Sequence, residues 1–521
     1  MTTLSLYPKS WQVFREAMIS WFNEKLWIKG QIVRMLGMNP DRILFIDHHL
    51  SHAASTFFCS PYEEAAILTV DGVGEWTTAA MGYGRADWSG NGCSMIKLES
   101  EIRFPHSLGL LYSAFTAFLG FQVNEGEYKV MGMAPYGEPK YLDEVMKLVR
   151  VEKDGSFSLN MDYFKFTHST EQTYSKKFIE LFGEPRRPEY DFYTRITHPN
   201  CDHPEWDDTV ARQNQKYANI AASIQLTTED ILLKMANEAH RRTGLKQLCM
   251  AGGVTLNSVA NGRIVNETPF EDVYLQPAAG DSGGALGATL YVYHVLLNKP
   301  RKFVLEHAYW GQEYSPMEIE TFLKNKGYRY ELVEDEDVLI DRVVDALMKQ
   351  EIVGWYRGRF EWGPRALGNR SILADPRRAE MKNIVNTKIK YREPFRPFAP
   401  VILEERAAEY FDAKDPADCY PARYMLLVHR FKDGKGEEVG AVNHMGTGRL
   451  QTIKRETNPM YYEIVRRFGE ATGVPVILNT SFNLRGEPIV TTPENAYWTY
   501  SQSEIDMLVM DRYLLTKEKR R

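Results

Sequence analysis

The chain has 521 residues, 44% of them apolar, so it can bury large hydrophobic cores and is expected to form two or more domains. Its net charge of −6 argues against nucleic acid as the main partner, and no apolar stretch reaches the ~20 residues of a membrane-spanning helix. We therefore expect a protein that binds neither nucleic acid nor membrane. Five cysteines without a CxxC pair, and a start without a signal peptide, predict a reducing, cytoplasmic compartment.

The first part of the chain predicts a helix, then strands, then a second helix. Residues 8–37 have the apolar spacing of an amphipathic helix, and "RILFI" (42–46) predicts a buried strand. The stretch "AAILTVDGVGEWTTAAMGYG" (65–84) predicts two strands joined by a glycine turn, and "SLGLLYSAFTAFLGF" (107–121) predicts a buried helix. Residues 150–210 are polar and aromatic, and we interpret them as a peripheral insertion.

Further along, strands and helices alternate, which predicts an α/β layered fold. A long helix is expected to end at Gly244, and two strand–glycine turn–helix units follow, at 247–264 and 272–296. The composition changes near 299–315, and we place a domain boundary near residue 312. Beyond it the pattern predicts a helix at 337–350, the strand "IVGWY" (352–356) and a basic segment.

The motif "DHHLSHAAS" (47–55) places three histidines in five positions. If it opens a helix, His48 and His52 share a face, as two ligands of one metal must, whereas His49 points elsewhere. Asp71, at the end of "AAILTV", is a candidate third ligand. The alternative is that Asp47 caps the helix and the histidines are polar surface or hydrogen-bonded core residues. The spacing alone leaves both interpretations open, because HxxxH without a neighbouring glutamate is not the zinc protease motif.

Three glycine turns follow strands: "DGVGE" (71–75), "AGGVTLN" (251–257) and "AGDSGGALG" (279–287). Glycine there lets backbone N–H groups approach phosphates, and a helix N-terminus adds a favourable dipole. Glycine is also common in turns that bind no ligand, so one such loop is weak evidence of phosphate binding. Three in one α/β domain, two of them with aspartate, resemble the paired loops of the actin-like ATPase fold and predict nucleotide binding.

A basic segment lies between Trp355 and Pro400, where eleven Lys and Arg residues oppose four Asp and Glu, a local charge of +7. Arginine beside glycine, proline and aromatic residues is typical of rigid, bidentate contacts with oxyanions, so a small anionic ligand is expected. The alternative is a structural network of ion pairs. The candidate side chains are Arg359, Arg365, Arg370, Lys390, Arg396, Arg449, Ser481, Asn483 and Arg485.

Taken together, seven motifs resemble the NodU/CmcH family of O-carbamoyltransferases over nearly the whole chain. They are "HHLSHAAS", "LTVDGVGEWTT", "NEGEYKVMGMAPYG", "AGGVTLNS", "GPRALGNRSILADPR", "REPFRPFAP" and "LNTSFNLRGEPIV". The resemblance implies an actin-like domain at 1–312, similar to the transferase that makes threonylcarbamoyl-adenosine in tRNA, and a YrdC-like domain at 313–521. It also implies that carbamoyl phosphate and ATP form carbamoyl adenylate. The carbamoyl group then passes to a hydroxyl of a small-molecule acceptor, such as a natural product or a sugar, with a metal assisting.

The same resemblance implies roles for individual residues. The metal ligands would be His48, His52, Asp71 and Asp281, a set that suits Fe(II), with Mn(II) or Zn(II) as alternatives. The residues along the nucleotide, which enters as ATP with Mg2+, would be Asp71, Gly72, Lys129, Gly252, Gly253 and Asn257. Those that hold carbamoyl phosphate and the ATP phosphates would be Arg365, Arg370, Lys390, Arg396 and Arg449, with Ser481 and Asn483 as neutral donors.

One departure from the family is expected to matter. Its members normally open with a glycine-rich β-hairpin that carries a His-Asp pair near the acceptor, and nothing in this sequence matches that hairpin. The adenylation half is expected to be intact, whereas the transfer half depends on whether the hairpin is supplied. Two alternatives stay open, a tRNA-modifying carbamoyl transferase and a catalytically incomplete protein that binds nucleotide or carbamoyl phosphate. A homodimer is a further possibility.

Overall fold

The computed structural model describes residues 7–414, 416 and 418–517. The helices before residue 313 are α1 (Trp11–Asn23), α2 (Ile28–Leu36), α3 (His48–Phe57), α4 (Leu108–Phe118), α5 (Glu127–Met133), α6 (Leu142–Leu148), α7 (Lys176–Phe182), α8 (Asp208–Thr243), α9 (Ser258–Glu267) and α10 (Gly284–Tyr291). The strands in the same part are β1 (Glu64–Gly74), β2 (Thr77–Arg85), β3 (Met95–Arg103), β4 (Val149–Val151), β5 (Phe157–Leu159), β6 (Gln247–Ala251) and β7 (Asp272–Tyr274).

The first sheet has five strands in the order β3–β2–β1–β6–β7. β1, β2 and β3 pair antiparallel, whereas β1, β6 and β7 run parallel. Because successive side chains of a strand point to opposite faces, β1 packs against helices on both sides. Ala66, Leu68 and Val70 pack with α4 and α8, and Ala65 and Ile67 pack with α3.

The second sheet has ten strands and lies in the C-terminal part of the chain, in the order β12–β13–β14–β11–β15–β10–β9–β16–β17–β8. Its strands are β8 (Glu331–Leu332), β9 (Val353–Tyr356), β10 (Arg370–Ala374), β11 (Ala399–Leu403), β12 (Phe411–Asp412), β13 (Leu427–Phe431), β14 (Thr447–Ile453), β15 (Val476–Ser481), β16 (Met507–Met510) and β17 (Tyr513–Thr516). The helices are α11 (Pro316–Lys326), α12 (Glu336–Met348), α13 (Glu380–Ile384), α14 (Ala407–Tyr410), α15 (Tyr420–Arg423), α16 (Lys435–Glu438), α17 (Pro459–Thr472) and α18 (Pro493–Gln502). Both faces of this sheet are covered by apolar clusters.

The two sheets are joined by buried contacts between the N-terminal and C-terminal parts. The side chain of Asn261, in α9, donates to the backbone carbonyl of Leu426 at 3.0 Å. The ring of His444 hydrogen-bonds the carbonyl of Gly132 at 2.9 Å. A Cβ added at Gly262 would lie 2.1 Å from the carbonyl oxygen of Val428, so only glycine allows α9 to approach β13 this closely. These contacts fix the position of the N-terminal part relative to the C-terminal part.

Most predicted elements are confirmed, and the chain is a mixed α/β protein. The two strands around "DGVGE", the helix at 107–121, the long helix with Gly244 as its C-cap, and both strand–turn–helix units are present. The helix at 337–350 and the strand "IVGWY" are present as α12 and β9. No helix among the described residues is long and apolar enough to cross a membrane. The domain boundary near residue 312 stays a prediction.

One prediction for the N-terminal part is wrong, and a second is confirmed in part. "RILFI" is not a strand, and it is not buried: Leu44 and Phe45 are 58% and 66% exposed. A run of apolar residues becomes a strand only when a neighbouring backbone pairs with it, and no described strand does so here. The amphipathic helix at 8–37 is divided into α1 and α2 by a 3-10 turn at Lys25–Trp27, and neither helix has a buried residue.

The interpretation of residues 150–210 as a peripheral insertion is also wrong in part. The segment forms the small β4–β5 sheet and α7, but its aromatic side chains enter the main core. Phe164, Phe178, Phe182 and Phe192 are buried in the same cluster as α4 and α8. The aromatic content of the segment therefore serves packing, because rings of this size are favourable when they are removed from water.

Candidate functional site

A cluster of two histidines and two aspartates lies where α3 begins. His48 and His52 are one helical turn apart on α3, and their Nε2 atoms face each other at 2.9 Å. The Nε2 of His48 lies 2.9 Å from Asp71 Oδ2 and 3.4 Å from Asp281 Oδ1. The Nε2 of His52 lies 3.5 Å and 3.4 Å from the same two oxygen atoms. The structure thus brings together all four residues that the family resemblance implies as metal ligands.

Alternation along β1 explains why Asp71 reaches this cluster. Asp71 has the same parity as Ile67, and both point to the face of the sheet that α3 covers. Its other oxygen, Oδ1, accepts a hydrogen bond from the backbone N–H of Gly253 at 2.8 Å. Asp281 comes from the turn before α10, and α10 packs along α3. The cluster is therefore built from three elements that are far apart in sequence.

Two glycines allow the helices and strands around the cluster to approach. A Cβ on Gly74 would lie 2.3 Å from the ring of His48, and a Cβ on Gly287 would lie 1.8 Å from the carbonyl oxygen of Ser51. Neither distance is compatible with a side chain. The spacing of α3, β1 and α10, and with it the convergence of the ligand atoms, depends on these two positions.

The electrostatics of the cluster are those of paired opposite charges. Hydrogen bonds to Asp281 and then to Asp71 raise the pKa of His48 to about 10. Hydrogen bonds from His48 and then from His52 hold the pKa of Asp281 well below its usual range. At Asp71 burial works in the opposite direction, but hydrogen bonds from His48 and His52 outweigh it and lower the pKa. The carboxylates are therefore ionised, as metal ligands must be.

The donor set fits a divalent transition metal. One ligand atom from each of the four residues lies within 4.8 Å of all the others. Metal–ligand bonds of about 2.0–2.2 Å place neighbouring ligand atoms about 3 Å apart, which is close to the separations found here. Two Nε2 atoms at 2.9 Å cannot both carry hydrogen atoms, and a cation between their lone pairs removes that conflict. Imidazole and carboxylate together suit Fe(II), Mn(II) or Zn(II).

His49 is excluded from the cluster. Its ring is buried and hydrogen-bonds the Thr69 hydroxyl at 2.7 Å and the Thr77 carbonyl at 2.9 Å. Burial, together with the nearby charge on His52, lowers the pKa of His49 to about 4, so it is neutral at pH 7. This ring is a hydrogen-bonded core residue, which is the alternative that the sequence left open for the histidines as a group.

The glycine turns predicted to bind nucleotide lie next to the cluster. The carbonyl of Gly72 accepts from the Ser107 hydroxyl at 2.6 Å. Gly252 has a φ of +103°, and a Cβ there would lie 2.2 Å from the Val70 carbonyl oxygen. Asn257 caps α9 and exchanges hydrogen bonds with Gln225. The residue that follows Asn257, Ser258, lines a separate cavity, so α9 begins between the two regions.

That cavity has a volume of about 320 Å³ and is lined by both parts of the chain. We call it the arginine cavity. Four arginines line it, and Glu487 is the only carboxylate among its described lining residues. The polar residues in its wall are Tyr128, Ser258, Arg365, Arg392, Arg396, His444, Thr447, Arg449, Asn479, Thr480, Ser481, Asn483 and Glu487.

The arginines of this cavity are crowded and incompletely paired. Burial, and then the charges of Arg365, Arg392 and Arg396, lowers the pKa of Arg449 well below its usual range. The buried Nε atoms of Arg365 and Arg449 have no hydrogen-bond partner in the described part of the chain. Guanidinium groups stay protonated at any physiological pH, so Arg449 carries a buried positive charge next to three others, and a bound anion would offset both the burial and the repulsion.

Arg370, by contrast, is not brought to the cavity. It is fully buried, its two terminal nitrogens donate to the carbonyls of Arg357, Gly358 and Asn369, and it stacks on the ring of Tyr356 at 3.9 Å. These contacts occupy its two terminal nitrogens within the fold, whereas its buried Nε has no hydrogen-bond partner among the described residues. Arg370 is therefore absent from the lining of the arginine cavity.

Two predicted lysines lie just behind the cavity wall. The Lys390 Nζ contacts Ser481 and Asn483, at 2.7 Å from the Ser481 carbonyl and 2.6 Å from the Asn483 side-chain oxygen, and both partners line the cavity. Burial, and then the charges of Arg392 and Arg396, lowers the pKa of Lys390 well below its usual range. Lys129 pairs with Glu393 at 3.2 Å, beside the arginine segment.

Sequence reasoning missed several cavity residues. Arg392 lies in the same "REPFRPFAP" motif as Arg396 and was a visible candidate. Tyr128, next to Lys129, accepts a hydrogen bond from Arg396 at 2.9 Å and lies under its guanidinium group. Nothing in the pattern indicated His444, because a single histidine in a glycine-rich segment is compatible with many roles.

Comparison with known proteins assigns the family. Residues 3–290 match the family model described as carbamoyltransferase N-terminus, and residues 344–517 match the one described as carbamoyltransferase C-terminus. The chain therefore belongs to the carbamoyltransferase family, and it is an enzyme of that class. The family implies a carbamoyl donor and an acceptor as substrates.

Individual relatives cover most of the chain. An uncharacterized protein of Synechocystis sp. is 42% identical over 99% of this chain and 84% of its own length. The nodulation protein NolNO of Sinorhizobium fredii is 36% identical over 95% of this chain and 67% of its own. The nodulation protein NolO of Bradyrhizobium diazoefficiens is 34% identical over 91% and 79%, respectively.

Proposed function

We propose that the chain is an ATP-dependent O-carbamoyltransferase with two reaction centres. The arginine cavity forms carbamoyl adenylate from carbamoyl phosphate and ATP, and the His/Asp cluster is where the carbamoyl group passes to a hydroxyl of a small-molecule acceptor. The observation that carries the proposal is the concentration of four arginines around one 320 Å³ cavity with a single carboxylate in its lining. A site of this charge suits substrates that bring several phosphate groups.

In the first step, water hydrolyses carbamoyl phosphate to carbamate and inorganic phosphate. The carbamate that remains attacks the α-phosphorus of ATP through its oxygen, and pyrophosphate leaves. Negative charge builds up on phosphate oxygens throughout, and the four arginines that line the cavity, Arg365, Arg392, Arg396 and Arg449, would stabilise it. ATP enters with Mg2+, while Ser481 and Asn483, held by Lys390, offer neutral hydrogen-bonding groups in the same wall.

At the second centre His48, His52, Asp71 and Asp281 would hold a divalent ion, with Fe(II) favoured and Mn(II) or Zn(II) as alternatives. When bound, the ion supplies a Lewis acid that polarises the carbamoyl group. Gly253 fixes Asp71 through its backbone N–H, and the ring of His52 is fully buried. The side chains of His48 and Asp281 are 28% and 77% exposed, so the cluster is open on the side from which an acceptor would arrive.

The fold supports the same proposal. We assign residues 1–312 to an actin-like domain and residues 313–521 to a YrdC-like domain. The five-stranded sheet, with three antiparallel strands followed by two parallel ones, and the separate ten-stranded sheet support this division. A cytoplasmic location, a small-molecule acceptor and the absence of a nucleic acid substrate belong to the proposal as well; the acidic net charge supports the last of these.

Carbamoyl-phosphate-dependent exchange of labelled pyrophosphate into ATP tests the proposal. We expect exchange in the presence of Mg2+, and no exchange when carbamoyl phosphate is left out. Folded, metal-loaded protein that shows no exchange contradicts carbamoyl adenylate formation. Strong, salt-sensitive binding of tRNA by the same preparation would instead favour the tRNA-modifying alternative.

A further inference from the structure

Glu361 is a buried carboxylate that binds backbone rather than a cation. It is 3% exposed, and its Oε1 accepts hydrogen bonds from the backbone N–H groups of Leu367 at 2.8 Å, Asn369 at 2.8 Å and Arg370 at 3.1 Å. Its Oε2 is buried and has no hydrogen-bond partner among the described residues. Burying a carboxyl group with one oxygen unpaired is unfavourable, so the arrangement points to a role in the segment that Glu361 binds.

The segment that Glu361 holds is the loop 361–370, and side chains from other elements hold the same loop through its carbonyls. Asn479 donates to the carbonyl of Ala366 at 3.1 Å, and Gln451 and the Tyr309 hydroxyl donate to the carbonyl of Leu367 at 2.8 Å and 2.9 Å. Peptide groups on both sides of Leu367 are therefore fixed from two directions. Such a loop has little freedom to move when a ligand arrives.

The loop also has a backbone shape that only glycine allows. Gly363 and Gly368 have φ values of +110° and +113°. A Cβ on Gly363 would lie 2.6 Å from the carbonyl oxygen of Pro277, and one on Gly368 would lie 2.2 Å from the ring of Tyr461. The loop is thus pressed against both parts of the chain, and its apex, residues 364–366, lines the arginine cavity.

We propose that Glu361 is a positioning residue for Arg365. By binding the N–H groups of Leu367, Asn369 and Arg370, it fixes the backbone just after Arg365, from which the guanidinium group enters the cavity. This inference rests on the proposed function, because it takes phosphate-bearing substrates as the ligands of the cavity. Arg365 touches the substrate; Glu361 acts through it, and preorganisation of this kind improves both binding and catalysis without adding a contact.

The test is a double-mutant cycle on the full-length, metal-loaded protein, with inorganic pyrophosphate as the probe in calorimetry. We expect Glu361→Leu and Arg365→Ala each to weaken pyrophosphate binding by about 30-fold, and the double variant to bind no more weakly than Arg365→Ala alone. Glu361→Leu combined with Arg449→Ala serves as the matched control. There we expect the two losses to multiply, because Glu361 binds the backbone of the Arg365 loop and makes no hydrogen bond to Arg449 or to its strand among the described residues.

Glu361→Gln keeps an acceptor oxygen and tests the inference if the leucine variant does not fold. Because a neutral amide oxygen accepts these bonds more weakly than a carboxylate, we expect it to weaken pyrophosphate binding by a smaller factor than Glu361→Leu does, to raise the KM for carbamoyl phosphate more than it lowers kcat, and to speed amide hydrogen exchange in residues 361–370. Losses that multiply in Glu361→Leu/Arg365→Ala, or unchanged hydrogen exchange in Glu361→Gln, overturn the positioning role and leave the proposed function standing. Wild-type protein that binds no pyrophosphate and catalyses no exchange overturns both.

Discussion

In the His/Asp cluster two histidines face two carboxylates, whereas in the arginine cavity four guanidinium groups face one another with only Glu487 among the described lining residues as a carboxylate. The same contrast appears in their histidines. Neighbouring carboxylates raise the pKa of His48 to about 10, while burial and then the charge of Lys382 lower the pKa of His444 to about 3. The two carboxylates of the cluster favour positive charge between them, on the imidazole rings or on a bound cation. The cavity leaves positive charge unbalanced, which suits an anion.

The largest effect is expected from Asp71→Asn, which should impair the His/Asp cluster and leave the arginine cavity intact. The variant keeps an oxygen for the Gly253 N–H but removes the negative charge from the cluster. We expect bound metal, measured by mass spectrometry, to fall about 100-fold, and acceptor carbamoylation to fall at least as much. Pyrophosphate exchange should change by less than about threefold, because it belongs to the other centre.

Asp143→Asn, at an exposed position outside both regions, is the control for Asp71→Asn and should match the wild type in metal content and in both activities. If exchange and carbamoylation fall together in Asp71→Asn while the protein stays folded, the two regions are not separate centres.

Arg449→Ala is expected to have the opposite effect, impairing the arginine cavity and leaving the His/Asp cluster intact. Loss of one charge-assisted contact to phosphate should lower kcat/KM for exchange by about 50-fold, while metal content stays at the wild-type value. Arg359→Ala is the matched control, since Arg359 is an exposed arginine that pairs with Glu313 outside the cavity, and exposed pairs contribute little. Equal losses in the two variants would show that overall charge, rather than the cavity, governs exchange.

A smaller effect, on the free energy of unfolding, is expected from the lowered pKa of His444. His444 is neutral in the folded protein down to about pH 3 but takes up a proton below pH 6.5 when the chain unfolds. Acid therefore favours the unfolded state across this window, and the loss from His444 alone is about 2 kcal/mol between pH 6.5 and pH 5. His444→Gln should lose about 2 kcal/mol less than the wild type over that range in urea unfolding of metal-free protein. Parallel curves for the two proteins would contradict the assignment.

The sequence predicted the cluster better than the cavity, for physical reasons. The i, i+4 spacing of His48 and His52 follows from helix geometry, and Asp71 follows from a strand end close by in the chain. Asp281 lies more than 200 residues further on, and only the resemblance to a family placed it with the others. Spacing rules describe neighbours in one element; they say little about which elements meet.

In the arginine segment the sequence indicated the chemistry but not the direction of each side chain. Arg365 and Arg370 stand in the same motif, among the same kinds of residues, yet one enters the cavity and the other donates to carbonyls inside the fold. The difference arises from the loop that Gly363 and Gly368 bend and Glu361 holds. "RILFI" failed for a related reason, because pairing with a distant strand, and not local hydrophobicity, decides whether such a run is buried.

The wall of the arginine cavity is divided between two parts of the chain: Tyr128 and Ser258 lie on one side, and Arg365 and Arg449 on the other. Neither part carries the complete binding surface, so a chimaera assembled from two carbamoyltransferases inherits a cavity only if both walls match. Contacts such as that of His444 with the Gly132 carbonyl set the alignment of those walls. A chain in which only one of the two parts is exchanged is therefore expected to lose the alignment of these walls.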